Sequence, residues 1–185
     1  MSHPRKVAVL VGSLRKDSFS LKIARTVASE APTSLSFDFI DISKLPFFNQ
    51  DLEATPPAEW TTFRNQIKAA DAILFVTPEY NRSVPGVLKN AIDVGSRPYG
   101  QGSLNNKPAA VISTSIGAVG GFGSNHHLRQ SLAFLNMPTM GQPEAYIGGA
   151  GGLFDASGSL TNEGTLDFLR AYGVAFAAWI DKQLA

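Results

Sequence analysis

The chain contains no cysteine, which excludes disulfides, thiolate metal ligands, iron–sulfur clusters and cysteine nucleophiles together. Redox chemistry here would need a borrowed cofactor. A long apolar run is missing too. Nothing approaches the roughly 20 consecutive apolar residues of a membrane span, and Val7–Val11 is far shorter than a signal-peptide core, so we expect a cytoplasmic protein with no membrane partner. Neither charge is in excess: 16 Lys and Arg against 15 Asp and Glu leave a formal net charge of +1. With no dense Lys/Arg run, the basic face that nucleic-acid binding requires is lacking. Small molecules are the better partners. What remains is an ordinary globular composition, 44% hydrophobic over 185 residues, a length that suits a single domain over 1–185.

Val7-Ala8-Val9-Leu10-Val11 is a continuous apolar run rich in β-branched residues, as in a parallel strand buried on both faces. It ends at Gly12. Leu21, Ala24, Ala28 and Ala31 then recur at helical spacing, with Pro32 as the stop. Leu35 to Ile40, continuing to Ile42, reads as a second strand nearer an edge. The unit repeats: a helical stripe of Trp60, Phe63, Ile67 and Ala70, then a buried strand, Ala72 to Val76. A helix carrying Val84, Val87, Leu88, Ala91 and Ile92 leads to a fourth strand, Ala109 to Ile112. A helix through Leu128, Leu132 and Leu135, a fifth strand at Glu144 to Ile147, and a helix from Leu166 to Ile180 complete the order. Alternating strands and helices predict an α/β protein, a doubly wound five-stranded parallel sheet with helices on both faces. The glycines at 148, 149, 151 and 152 predict an exposed loop.

Ligands of such sheets bind beyond the carboxyl ends of the strands, where three loops are expected. Gly12 to Ser20 offers Ser13, Ser18, Ser20 and Arg15 just before a helix N-terminus, a suitable trap for a monophosphate. The competing reading is a plain N-cap at Ser18 with Arg15 in solvent. No Gly-x-Gly-x-x-Gly follows the first strand, and no Gly-Lys-Ser/Thr of a triphosphate loop occurs. Asp41 is read as a turn residue. Thr77 to Gly86 joins stiffening prolines to Tyr80 and several hydrogen-bonding groups, as a planar heterocycle needs, and serves equally as a helix start with Ser83 as cap. Ser115 to Gly123 is rich in glycine, so its main chain can approach a flat ligand closely. His126 and His127 are adjacent and point about 100° apart on a helix, unlike metal ligands at i and i+4; they are read as surface or interface histidines, and no metal is expected. No Gly-x-Ser-x-Gly elbow supports a serine hydrolase.

Gly12-Ser13-Leu14-Arg15 with Ser18, then Pro78-Glu79-Tyr80-Asn81 with Ser83, Pro85-Gly86 and Leu88-Lys89-Asn90-Ala91-Ile92-Asp93, resemble the NADPH-dependent FMN reductases, a family that includes bacterial chromate and quinone reductases. The resemblance spans nearly the whole chain. It implies a flavodoxin-like fold, with Ser13, Arg15, Ser18 and Ser20 on the FMN phosphate and Pro78, Glu79, Tyr80 and Asn81 beside the ribityl chain and ring. Ser115 and Gly117 would close the other edge. Relatives often carry asparagine where this chain has Ser20. Glu79 receives no proton-transfer role, and Asn90 and Asp93 are read as packing or interface residues.

The resemblance also implies NADPH or NADH as co-substrate, acting by ping-pong hydride transfer through FMN to quinones, free flavins or other oxidised acceptors such as chromate. Arg82, Arg97 and Arg129 are left as candidates to bind the nicotinamide nucleotide. Relatives form homo-oligomers, a dimer or a homotetramer built as a dimer of dimers. A flavodoxin-type electron carrier is the alternative, but such carriers are strongly acidic and this chain is near neutral. A second alternative is an interaction protein that keeps the fold without flavin; the phosphate loop argues against it.

Overall fold

The computed structural model describes residues 3–185. Five strands form one parallel sheet: β1 (Arg5–Val11), β2 (Leu35–Phe39), β3 (Ala72–Thr77), β4 (Ala109–Thr114) and β5 (Ala145–Ile147). Their order is β2-β1-β3-β4-β5. In register, Val9 faces Phe39 on one side and Leu74 on the other, Phe75 faces Val111, and Ser113 faces Tyr146. Every residue of β3 and β4 is buried, which is why these strands read as unbroken apolar runs and not as alternating ones. β2 stands at the sheet edge and is mostly exposed or half-buried, as expected of it.

The helices are α1 (Phe19–Glu30), α2 (Ala58–Ala69), α3 (Gly86–Gly95), α4 (Phe122–Phe134) and α5 (Glu163–Leu184). Successive strand residues point to opposite faces, so two cores form. Val7, Val9, Leu74 and Ile112 pack with Ile23 and Val27 of α1 and with Tyr172 and Phe176 of α5. Ala8, Leu10, Phe75 and Val111 pack with Trp60 of α2, Leu88 of α3 and Leu128 of α4. The fold is the doubly wound flavodoxin-like one. Among the described residues no helix is long and apolar enough to cross a membrane.

Three local readings change. α3 starts after Pro85, with no side-chain cap. Ser83, the expected cap, is instead hydrogen-bonded through its backbone to Tyr80, N to O at 3.0 Å and O to N at 3.1 Å, closing a two-residue hairpin over Asn81 and Arg82. α4 begins at Phe122, well before its apolar stripe, because its end is capped from a distant loop. The glycines after β5 are only partly a loop: Ala150–Gly152 forms a 3-10 turn. Gly148 packs on the third loop, where a Cβ would lie 2.4 Å from the Ala118 carbonyl oxygen.

Candidate functional site

In a sheet of order 2-1-3-4-5 the strand order reverses between β1 and β3, and the crevice opens beyond their carboxyl ends. A cleft of about 150 Å³ lies there, lined by Ser13, Arg15, Ser18, Phe19 and Ser20, by Pro78, Glu79 and Tyr80, and by Thr114, Ser115 and Ile116. All three expected loops contribute. A larger depression of about 1000 Å³ involves His3, Arg5 and Asp71, but it sits at the amino ends of the strands and gathers none of these loops.

The first loop turns tightly from β1. Gly12 permits this, since a Cβ there would stand 3.1–3.2 Å from Leu88, Thr77 and Pro78. Ser18 is the N-cap of α1, its Oγ accepting the Leu21 N–H at 3.2 Å. The N–H groups of Phe19 and Ser20 find no partner among the described residues. Two free donors at a helix N-terminus, where the dipole is positive, make an anion site. Ser18 and Ser20 are buried, and the Arg15 guanidinium rests 5.9 Å from the Phe19 ring centroid. Arg15 forms no ion pair among the described residues. Thus Ser18 is the N-cap, and the cap leaves the two N–H groups beside it free for an anion.

The second loop is braced from behind. Thr77 Oγ1 donates to the Pro78 carbonyl at 2.8 Å, and Ser124 Oγ donates to the same carbonyl at 2.9 Å. Glu79 turns its carboxylate onto the α4 N-terminus, where Oε2 accepts the Ser124 N–H at 3.1 Å. A carboxylate at that end complements the dipole and replaces the side-chain cap that Gly121 lacks. Asn81 and Arg82 hold positive φ of 50° and 65°. Asn81 therefore sits at the exposed hairpin tip, outside the cleft lining.

The third loop begins at Thr114. Its Oγ1 is buried without a hydrogen-bond partner among the described residues, beside Ser115 and Ile116 in the cleft wall. Nothing in the sequence singles out this threonine, expected in the loop beyond a strand ending at Ile112 and found as the last residue of β4; Phe19 and Ile116 were likewise missed. Ser115 Oγ accepts the Gly117 N–H at 3.1 Å. Gly117 is exposed and outside the lining, and a Cβ there would meet only Ser115 Oγ, at 3.6 Å. Gly120 is the tight point: φ is 63°, and a Cβ would lie 2.5 Å from the Tyr146 carbonyl carbon.

The remaining candidates are occupied elsewhere. Arg97 binds both carboxylate oxygens of Glu53, the second at 2.6 Å, and holds that carboxyl below its ordinary range. Arg129 donates to Asn125 Oδ1 and to the Met140 carbonyl, both at 2.9 Å. His126 Nε2 lies 2.9 Å from Tyr146 Oη, and His127 Nδ1 lies 2.9 Å from Ser83 Oγ; no cluster of metal-ligating side chains exists among the described residues. Asn90 clasps the chain after β2, accepting the Phe48 N–H at 2.8 Å and donating to the carbonyls of Leu45 and Pro46. Asp93 pairs with Lys89 at 2.7 Å. Asp41 accepts the Ser43 N–H at 2.8 Å, the turn role expected of it.

The chain is similar to known proteins over most of its length. Residues 5–152 match the model of a family described as NADPH-dependent FMN reductase. A quinone reductase of Pseudomonas putida is 58% identical over 181 residues, covering 97% of each chain. A 2-hydroxy-1,4-benzoquinone reductase of a Burkholderia species is 47% identical over 175 residues, 95% of this chain and 96% of that one. The structure of FerB, a flavoenzyme NAD(P)H:(acceptor) oxidoreductase from Paracoccus denitrificans, matches with a TM-score of 0.90 at 44% identity, over 97% of this chain and 98% of that chain. By the family match over most of its length and by these relatives, the chain belongs to the NADPH-dependent FMN reductase family.

Proposed function

We propose that this chain is an FMN-dependent NAD(P)H oxidoreductase that reduces quinones, and that the cleft at the β1–β3 reversal holds the cofactor. The observation that carries the reading is the anion-ready start of α1, opening onto a cleft shared by three loops. Ser13, Arg15, Ser18 and Ser20 would hold the FMN phosphate. Pro78, Glu79 and Tyr80 would border the ribityl chain and ring, with Ser115 at the far edge; Asn81 and Gly117, expected beside them, stand outside the lining and would meet the cofactor only at its exposed rim. The residues present fit such a group: two helix N–H donors and the buried Thr114 Oγ1 all lack partners of their own among the described residues, and a buried polar group without one is costly. To that set we add Thr114.

Bound FMN supplies a ring that takes up and gives back two electrons. The protein positions it, stiffens the second loop and leaves its rim open. Ile116 and Tyr80 stand exposed at that rim and present apolar surface to a flat partner, so the nucleotide and the acceptor can use one place in turn. This ping-pong order suits acceptors of several shapes, free flavins and chromate among them. We further propose that the chain works as one cytoplasmic domain in a homo-oligomer, a dimer or a dimer of dimers, as the family resemblance implies.

An anaerobic visible spectrum of the FMN-loaded protein tests the reading. Bleaching of the flavin band by NADPH or NADH, then recovery on adding a quinone, is expected. A bound flavin that neither nucleotide reduces would point to an electron carrier, and failure to retain FMN would remove the phosphate site. Thr114→Val tests the added residue through two signs at once. Deleting the orphan hydroxyl should raise apoprotein stability by about 1 kcal/mol, a rise in melting temperature of roughly 2–4 °C. It should also weaken FMN binding about two- to tenfold. A stabilised variant with undiminished FMN affinity would show that the hydroxyl does not meet the flavin.

A further inference from the structure

We infer that Arg82 receives a phosphate of the nicotinamide dinucleotide, an inference that rests on the proposed function. Of the three arginines that could serve, Arg97 is held by Glu53, and Arg129 is held by Asn125 and the Met140 carbonyl with its remaining Nη2 buried away from solvent. Arg82 is different. Its side chain is 84% exposed, and its one ion pair among the described residues is to Glu79 Oε1 at 3.5 Å, beyond the range of a good hydrogen bond. The other oxygen of that carboxylate is taken by the Ser124 N–H.

The hairpin fixes where the guanidinium is offered. Two backbone hydrogen bonds join Tyr80 to Ser83, Ser83 Oγ lies 2.9 Å from His127 Nδ1, and the Arg82 carbonyl oxygen packs so near Gly123 that a Cβ there would stand 2.8 Å away. Tyr80, at the base of the same hairpin, lines the cleft. So a rigid mount carries a free cation beside the site. The backbone would be better served otherwise: with φ of 65° in a two-residue hairpin, this position favours glycine. An arginine kept at a glycine position, and nearly unpaired, is explained by what its side chain binds. Arg15 lines the cleft itself by the α1 N-terminus, whereas Arg82 stands outside that lining and remains available to a second phosphate. A planar five-donor fork suits that partner.

Arg82→Gly is the test, because glycine keeps the hairpin's φ. The KM for NADPH should rise about tenfold, the low end for a charge-assisted contact at an exposed position, with kcat and FMN affinity within twofold of wild type. Arg82→Lys should recover part of the loss. A rise confined to NADPH identifies the 2′-phosphate, and an equal rise with NADH identifies the pyrophosphate. Calorimetric titration of the FMN-loaded proteins with NADP+ needs no turnover and should show the same weakening. Equal KM values and equal NADP+ affinities in wild type and Arg82→Gly would overturn the inference, as would a wild-type protein that binds no NADP+. A wild type that binds NADP+ but whose flavin is never reduced would sink the proposed function and leave Arg82 to be judged by the calorimetry.

Discussion

Replacing Gly120 with alanine should destabilise the protein by about 2–5 kcal/mol, combining a left-handed backbone penalty of roughly 1–2 kcal/mol with an overpacking cost of roughly 1–3 kcal/mol. Both causes are local. The residue holds φ of 63°, and the added carbon would lie 2.5 Å from the Tyr146 carbonyl carbon and 2.9 Å from the Ile147 nitrogen. These are main-chain atoms of β5 and cannot swing aside as a side-chain tip would. Either the third loop lifts from the sheet edge or β5 shifts, and both disturb the wall made by Thr114 and Ser115. A melting temperature lower by on the order of 10 °C is expected, together with loss of FMN affinity. Gly117→Ala in the same loop is the control: its Cβ would make only an ordinary van der Waals contact with Ser115 Oγ at 3.6 Å and should change stability by less than about 0.5 kcal/mol. Equal melting of the Gly120 variant and wild type would mean that the loop does not follow this path.

Arg15→Ala should weaken FMN binding by about 1.5–3 kcal/mol, the range for a hydrogen bond to a charged group, or roughly 10- to 150-fold in dissociation constant. The effect should be confined to the ligand. Arg15 is exposed and forms no ion pair among the described residues, so the apoprotein should melt as wild type does. Titration by quenching of flavin fluorescence reads the affinity, and raising the salt concentration should narrow the gap between the two proteins. Unchanged FMN affinity would take Arg15 out of the phosphate site and leave the α1 N–H groups and serines to hold it alone.

The sheet was legible because its strands are buried on both faces, so β1, β3 and β4 stand out as apolar runs such as Ala72–Val76. The phosphate loop was legible because serine, arginine and a helix start coincide within Gly12–Ser20. The hairpin at Asn81-Arg82 was not, since the usual Asn-Gly signal is absent and the positive φ at Arg82 is imposed by the contacts around it. α4 was read too short. Its first residues carry no apolar stripe, and its cap, Glu79, comes from a segment remote in sequence. Thr114 illustrates the general limit: a hydroxyl without a partner becomes visible only when everything around it is in place. Sequence could nominate Arg82, Arg97 and Arg129 alike. Glu53, 44 residues from Arg97, and the Asn125 side chain and Met140 carbonyl that meet Arg129 only once α4 and the loop after it are folded, decide which of them is free.

The strand order has a consequence for synthesis. β1 lies between β2 and β3, and Val7 pairs with Phe37 on one side and with Ala72 on the other. All pairs are parallel, so no sheet contact can form from a tight turn. On a ribosome making about 5–20 residues per second, β3 emerges roughly 3–13 seconds after β1. Through that interval a run as apolar as Val7–Val11 has one edge unpaired, the kind of edge that recruits other chains. The reversal that opens the cleft thus leaves an apolar strand of the nascent chain waiting for its second neighbour through these seconds.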